Sequence, residues 1–433
     1  MIETLKQTAK KAVEALINEG ADKGQSTVTY TVKHEFNVDG GEFSLFRTLF
    51  DKKMTMSAIT GGKRGVISQN RYDDASIAES AKACMAAAAA SAPDEAWDIA
   101  PVVKNEDFTL GETKPDLDKL FLRCRELMET IRTRFPKIIV EQMIVDHNET
   151  YEALANSNGV LFSTHKGNYS VEVMFSGHEG EKATSFYVSI VTTDDLDRPF
   201  IECGSVENDL ANVEKQIETE SVNGKFEGTM VLMPLCSLEL IGGLLMNFAG
   251  DQGLLTGTSP WKEKLGEQIA DERLTVSIAP LDERIVCGPR VTDEGFPAEN
   301  YDLIKDGRLN AFALSLYSAN KLGLSRAKND SECLIVEPGD KPLSEIIASI
   351  DKGILVGRFS GGQPAPNGDF SGVAKNSFLI ENGKIGPALS ETMISGNFAE
   401  MLFRLRGISR EQIQMGIAAL PYLAVDGITI SGK

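Results

Sequence analysis

Two long runs of alternating β-branched and polar residues, Ser26–Val38 and Glu42–Thr60, constrain this chain more than any other feature. A period of two places successive side chains on opposite faces of a strand, so the runs are expected to be antiparallel strands of one sheet. Around them the period changes. Ile2, Leu5, Val13, Leu16 and Ile17 suit one face of a helix that stops at Gly20. The Ala-rich run Asp74–Ala92 follows Asp73 and Asp74, which supply an N-cap, and ends at Ser91-Ala-Pro93. Its small side chains suit a helix packed closely on the sheet. Residues 1–93 thus form an expected first α+β unit.

Residues 94–114 are polar and aperiodic and suggest a linker. Beyond them, Pro115–Phe135 carries Leu117, Leu120, Phe121, Cys124, Leu127, Met128 and Ile131 on one helical face. Strand-like runs follow at Lys137–Val145, Val160–Ser163, Tyr169–Phe175 and Thr184–Thr192, and a helix at Glu207–Glu220. Residues 115–221 are therefore expected to form a second α+β unit, the pair making a two-layer arrangement. Asn223-Gly224 marks the next boundary. Residues 225–433 are Gly-rich and contain two near-repeats, LIKDGRL at Leu303–Leu309 and LIENGKI at Leu379–Ile385. Asp-Gly and Asn-Gly between apolar runs signal type I′ hairpins, because both central residues need positive φ. The expected fold class is α+β: a two-layer N-terminal region in two units, then a mainly-β, hairpin-rich C-terminal domain.

A length of 433 residues suits two or three domains. The net charge of −19 is opposite in sign to the footprint that phosphate backbones require, which disfavours direct binding of nucleic acid. Six scattered cysteines without a CxxC pair point to free thiols in a reducing compartment. The N-terminal segment lacks the continuous apolar core of a secretory signal. The longest apolar stretch, Val231–Gly250, contains Pro234, Glu239 and Asn247, so a buried helix is expected there and no membrane span. The expected address is the cytoplasm.

Candidate chemistry is sparse. His34-Glu35 and His178-Glu179 begin like H-E-x-x-H, but Val38 and Lys182 occupy the second histidine positions. Both histidines are expected to be solvated or on edge strands. No G-x-S-x-G elbow is present. The run Gly357–Gly372 is rich in glycine without the lysine of a phosphate-binding loop. It reads as a shaped loop, or as one that approaches a peptide backbone closely. Thr292-Asp-Glu-Gly-Phe-Pro297 reads as a turn, with contact to a cation or amine as the alternative.

The order of C-terminal motifs carries a resemblance. Phe248-Ala-Gly-Asp251 is followed by Gly257-Thr-Ser259, Leu265-Gly-Glu267, Asp293-Glu-Gly295 and Leu303-Ile-x-x-Gly307. Gly361-Gly-Gln363, Leu379-Ile-Glu-Asn-Gly-Lys384 and Ile428-x-Ile-Ser-Gly432 complete it. Over residues 225–433 the succession resembles the TldD/PmbA family, also called modulators of DNA gyrase and U62-type peptidases. One branch of that family is a zinc peptidase with H-E-x-x-x-H and a later Cys ligand; the TldE/PmbA branch lacks them. Alignment on Gly250-Asp251 puts the two zinc histidines at 241 and 246 and the catalytic Glu at 242. This chain has Ile241, Gly242 and Met246 there, and no Cys in Gln412–Lys433. A thioether is a poor zinc ligand and the other two have no donor.

The resemblance thus implies a TldE/PmbA-like, non-catalytic subunit of a cytoplasmic metallopeptidase that acts on unfolded peptides. Zinc is expected only in a TldD-like partner, as a heterodimer; the alternative is a stand-alone, homodimeric peptide-binding or regulatory protein without peptidase activity. No catalytic or cofactor-binding residue is assigned. Gly250, Asp251, Gly361, Gly362 and Gln363 are the residues expected to line a peptide channel.

Overall fold

The computed structural model describes residues 1–362, 364–390 and 392–432. Helix α1 (Ile2–Asn18) lays Leu5, Ala9, Ala12 and Leu16 against the first strands. β1 (Lys23–Asp39) and β2 (Glu42–Thr60) pair antiparallel along their whole length, with a bulge at Asn37/Val38, and β3 (Lys63–Gln69) adds to the far half of β2. Helix α2 (Asp74–Ala90) is capped by Asp73, whose Oδ1 accepts the Ser76 N–H at 3.0 Å, so Asp74 already belongs to the first turn. The close packing foreseen for α2 is real. A Cβ on Gly65 of β3 would lie 2.1 Å from the Cys84 carbonyl of α2.

The 94–114 stretch is more than a linker. Its Glu106–Gly111 forms β4, parallel to β6 (Leu161–Glu179). Helix α3 (Leu117–Arg134) starts at Asp116, whose Oδ1 accepts the Lys119 N–H at 2.9 Å. The strand-like runs from 137 to 175 are pieces of two unbroken strands, β5 (Ile138–Asn156) and β6. The polar middles, Asp146–Thr150 and Thr164–Asn168, hide that continuity from a pattern of apolar residues. The ladder Val145↔Val171 to Ala155↔Leu161 runs straight through them.

β1 also pairs with β5, from Gln25↔Asn156 to Asp39↔Gln142. The strands of residues 1–93 and 115–221 therefore share one sheet, in the order β3-β2-β1-β5-β6-β4, with the strand Tyr187–Thr193 on the other half of β6. Helix α4 (Val206–Lys215) is shorter than expected. Residues after it turn into the edge strand Thr219–Ser221, which joins the second sheet beside Ala388–Ser390.

In the C-terminal domain the strand Lys225–Leu232 lies between Ala419–Ser431 and Lys352–Ser360. Lys352–Ser360 pairs with Asp369–Glu381, which pairs with Thr392–Asn397, which returns to Ala419–Ser431. Five strands thus close into a small barrel, and closure removes the free edges that five open strands would present. Both hairpins form as expected. Asp306 and Gly307 have φ of 48° and 72°, Asn382 and Gly383 of 51° and 74°. Part of the apolar stretch Val231–Gly250 is strand; the rest is helix α5 (Pro234–Ala249), with Pro234 in its first turn. Leu240, Ile241, Leu244 and Phe248 of α5 pack in one core with Met230, Leu232, Ile354, Val356, Ile428 and Ile430. Among the described residues no helix is long and apolar enough to cross a membrane. The fold is α+β, as the sequence indicates.

Candidate functional site

The polar middle of β6 and one side of α5 face each other across a cleft of about 990 Å³. Lys166, Asn168 and Thr192 line it from the N-terminal sheet; Leu238, Gly242, Leu245 and Met246 line it from α5. Spaced at i, i+4, i+7 and i+8, these residues share one helix face, and the three that carry side chains give an apolar wall. Met246 is 63% exposed and Ile417, on the same cleft, 42%. Both offer apolar surface to a ligand rather than to the core.

The floor is acidic. The Thr292–Pro297 segment is the turn expected of it: Thr292 N–H donates to the Phe296 carbonyl at 2.8 Å, and Phe296 N–H to Thr292 Oγ1 at 3.0 Å. The turn presents Asp293 and Glu294 to the cleft. Glu294 Oε1 accepts the Leu316 N–H at 2.7 Å, and Asp330 Oδ2 accepts the Asp293 N–H at 2.6 Å. Desolvation raises the pKa of Glu294, of Asp330 and of Glu152, whose charge neighbours include Asp293 and Asp330. Arg326, its guanidinium 3.6 Å above the Phe296 ring, and Lys166 are the cations on this cleft.

Of the residues assigned to a channel, Asp251 lines the cleft, and its Oδ1 accepts the Ser315 N–H at 3.0 Å. Gly250 lies directly behind it, buried, where a Cβ would meet the Met246 carbonyl at 2.5 Å. Gly361 and Gly362 are elsewhere, on the exposed connection between Lys352–Ser360 and Asp369–Glu381. A Cβ on Gly361 would sit 2.4 Å from Phe359 Cζ and 2.8 Å from Gly372 Cα, so this glycine answers to the hairpin itself. Gln363 lies outside the described residues.

The positions that the resemblance assigns to zinc chemistry can now be placed. Ile241 is buried in the core and does not line the cleft; Gly242 and Met246 do. An alkyl chain, a hydrogen and a thioether do not make a zinc donor set. Gly242 is also not there for close packing, since nothing lies within 4 Å of where its Cβ would be. Among the described residues no three His, Cys, Asp or Glu side chains gather as a metal site. The four histidines all lie on the N-terminal sheet, outside the cleft. His34 is half-buried on interior strand β1, neither solvated nor at an edge; His178, near the end of β6, is partly exposed.

The sequence reading missed Cys287 and Lys166. Cys287 lines the cleft with φ of 51°, and its Sγ donates to the Gly167 carbonyl at 3.4 Å. Burial pushes its pKa up, away from a reactive thiolate. No local motif marks either residue; β6 and the 285–289 loop meet only through the fold. Chemically, the cleft can seat an extended chain, with apolar groups on α5 and cationic groups over the floor. It presents no nucleophile paired with a base.

Residues 225–432 match the PmbA/TldA metallopeptidase C-terminal domain. Among similar proteins, Metalloprotease PmbA of Escherichia coli O157:H7 is 31% identical over 173 residues, covering 38% of this chain and 38% of that protein. The aligned region therefore spans well under half of that relative. Similar solved structures cover far more. A putative modulator of DNA gyrase from Bacteroides thetaiotaomicron superimposes with a TM-score of 0.88 at 23% identity, over 99% of each chain. TldE from Thermococcus kodakarensis does so with a TM-score of 0.83 at 22% identity, over 97% of this chain and all of that one. At such identities the structures speak for the fold. The matched domain and its ordered motifs place the C-terminal half of the chain in the PmbA/TldD family, and the structures extend the same fold over the rest.

Proposed function

We propose that this chain is the metal-free subunit of a cytoplasmic peptidase acting on unfolded peptides, and that a zinc-bearing relative of the same family supplies the metal. The observation that carries the reading is the wall of α5. Gly242 and Met246 face the cleft and Ile241 faces the core, so none of the three provides a ligand or a base. The rest of the cleft supports a binding role. Its volume of about 990 Å³ is at the upper end of the ~300–1,000 Å³ of small-molecule sites, and its long apolar wall suits an extended segment. Main-chain bonds to a strand-like ligand would add affinity without demanding a sequence. The net charge of −19 argues against contact with nucleic acid.

The test is metal analysis of the purified chain together with its mass in solution, before and after addition of a zinc-bearing homologue. The expected result is no zinc in the chain alone, and a new complex that digests unfolded peptide. Stoichiometric zinc bound by the lone chain would overturn the reading. No zinc and no association would replace it with a stand-alone, homodimeric peptide-binding protein.

A further inference from the structure

The cleft between β6 and α5 joins an apolar wall to an unbalanced charge. Leu238, Leu245, Met246 and Ile417 meet its space, and Met246 and Ile417 leave much of their surface bare there. Asp251, Asp293, Glu294, Asp330 and Glu332 line the same space against Lys166 and Arg326, five carboxylates to two cations. Arg326 is held over the Phe296 ring and donates to the Ala327 carbonyl at 2.6 Å. Other cations of this domain are committed elsewhere, Lys328 to Glu299 and Arg284 to Asp282 and Glu337. Three of the five carboxylates lean on backbone amides instead: Asp251 on Ser315, Glu294 on Leu316 and Asp330 on Asp293. Among the described residues none of the five is neutralised by an ion pair.

The two features together select an occupant. A purely apolar chain would cover the wall and leave the carboxylates desolvated and unpaired, which is costly. An acidic chain would add repulsion. A chain with both apolar and cationic side chains satisfies both surfaces. In an extended segment successive side chains leave opposite sides. Alternation of the two kinds therefore lets one side rest on the wall while the other reaches the acidic floor. Desolvation already raises the pKa of Glu294 and Asp330, and an arriving cation would restore their charge.

We propose that the cleft selects extended peptides in which apolar residues alternate with lysine or arginine, and that Asp293, Glu294 and Asp330 determine that preference. The inference rests on the peptide-binding reading and adds to it the class of peptide. Complementary charge of this kind acts on specificity and on the rate of encounter more than on raw affinity.

Fluorescence anisotropy of the purified chain is the test. The probes are a fluorescein-labelled peptide of alternating leucine and lysine with glycine-serine ends, and two analogues with glutamine or glutamate in place of lysine. The lysine peptide is expected to bind about tenfold more tightly than the glutamine one, the glutamate one weakest, and high salt should narrow the difference. Asp293→Asn, Glu294→Gln and Asp330→Asn in one chain keep an oxygen to accept the amides. That variant is expected to bring the lysine-to-glutamine ratio to within about twofold. Glu14→Gln, Glu19→Gln and Glu79→Gln remove the same charge at exposed positions outside the cleft and should keep the ratio. Equal binding of the three peptides, or a preference for glutamate, overturns the proposal and leaves peptide binding standing. A preference that survives the cleft variant, or falls equally in the control, overturns the assignment to these three residues. Binding of none of the peptides removes the peptide-binding reading and the proposal with it.

Discussion

Replacing Asp209 by asparagine should make the protein more stable at pH 8 and leave it nearly unchanged at pH 4. Asp209 lies on the buried side of α4, and both Ser189 Oγ and Ser205 Oγ donate to its Oδ2, at 2.6 and 2.7 Å. No cation is among the groups that shift it; burial dominates and raises its pKa to about 7. The two hydroxyls pull the other way and do not compensate. An unfolded aspartate titrates near ~3.9. Between those values the folded state holds a proton that the unfolded state has released, so stability falls as pH rises from about 4 to about 7. A gap of about three pKa units corresponds to on the order of 4 kcal/mol. Asparagine fills the same volume, its carbonyl can accept both serine hydroxyls, and it has no proton to lose. The measurement is the melting temperature of both proteins at pH 4, 6 and 8. The difference between them should open with pH and exceed several degrees at pH 8. Two parallel curves would refute the reasoning, for they would mean that Asp209 is solvated well enough to ionise in the fold.

Gly242→Ala should raise stability by about 0.5–1 kcal/mol, because the new methyl meets nothing within 4 Å and removes a glycine from a helix interior; the urea midpoint reads it. Gly250→Ala should destabilise by about 1–3 kcal/mol and lower the same midpoint, since its Cβ would press on the Met246 carbonyl. Asp73→Ala removes the cap of α2 and should cost about 1 kcal/mol, seen as faster amide exchange at Ser76.

Much of the N-terminal layer was legible because its signals are local. Alternation in Ser26–Val38 and Glu42–Thr60, the Asp73 cap and the amphipathic face of α3 each specify an element without reference to the rest of the chain. What stayed hidden depends on partners distant in sequence. β5 and β6 read as fragments because their centres are polar, yet the centre of β6 is the part that reaches the cleft, through Lys166 and Asn168. The residues buried there, Asp146 and His147, are polar and leave no apolar period, and the ladders to β1, β5 and β4 keep these strands extended. Glu106–Gly111 was missed for a related reason: it lies at the sheet edge, held by one parallel neighbour.

Glycine shows where sequence reading of the site reaches its physical end. Gly242, Gly250 and Gly361 look alike in a sequence, each marking a place where a side chain is absent. Gly250 and Gly361 lack one because backbone or ring atoms stand 2.4–2.5 Å from the Cβ position. Gly242 lacks one while facing open cleft, so sterics would admit a longer residue there. A carboxylate at 242 would project into the cleft from the middle of the apolar wall, between Leu238 and Met246 on either side along α5. The absence of a base at this position is therefore a matter of the side chain alone, not of a helix that has moved to fill the space. The same holds at Met246, whose exposed thioether reaches the cleft without offering a competent zinc donor. Ile241 differs, because its side chain belongs to the core with Leu240 and Leu244. Restoring histidines at 241 and 246 with glutamate at 242 would thus place two groups in the cleft and bury the third among aliphatic neighbours. Substitution of those three residues is not expected to create a zinc site unless α5 also turns or distorts.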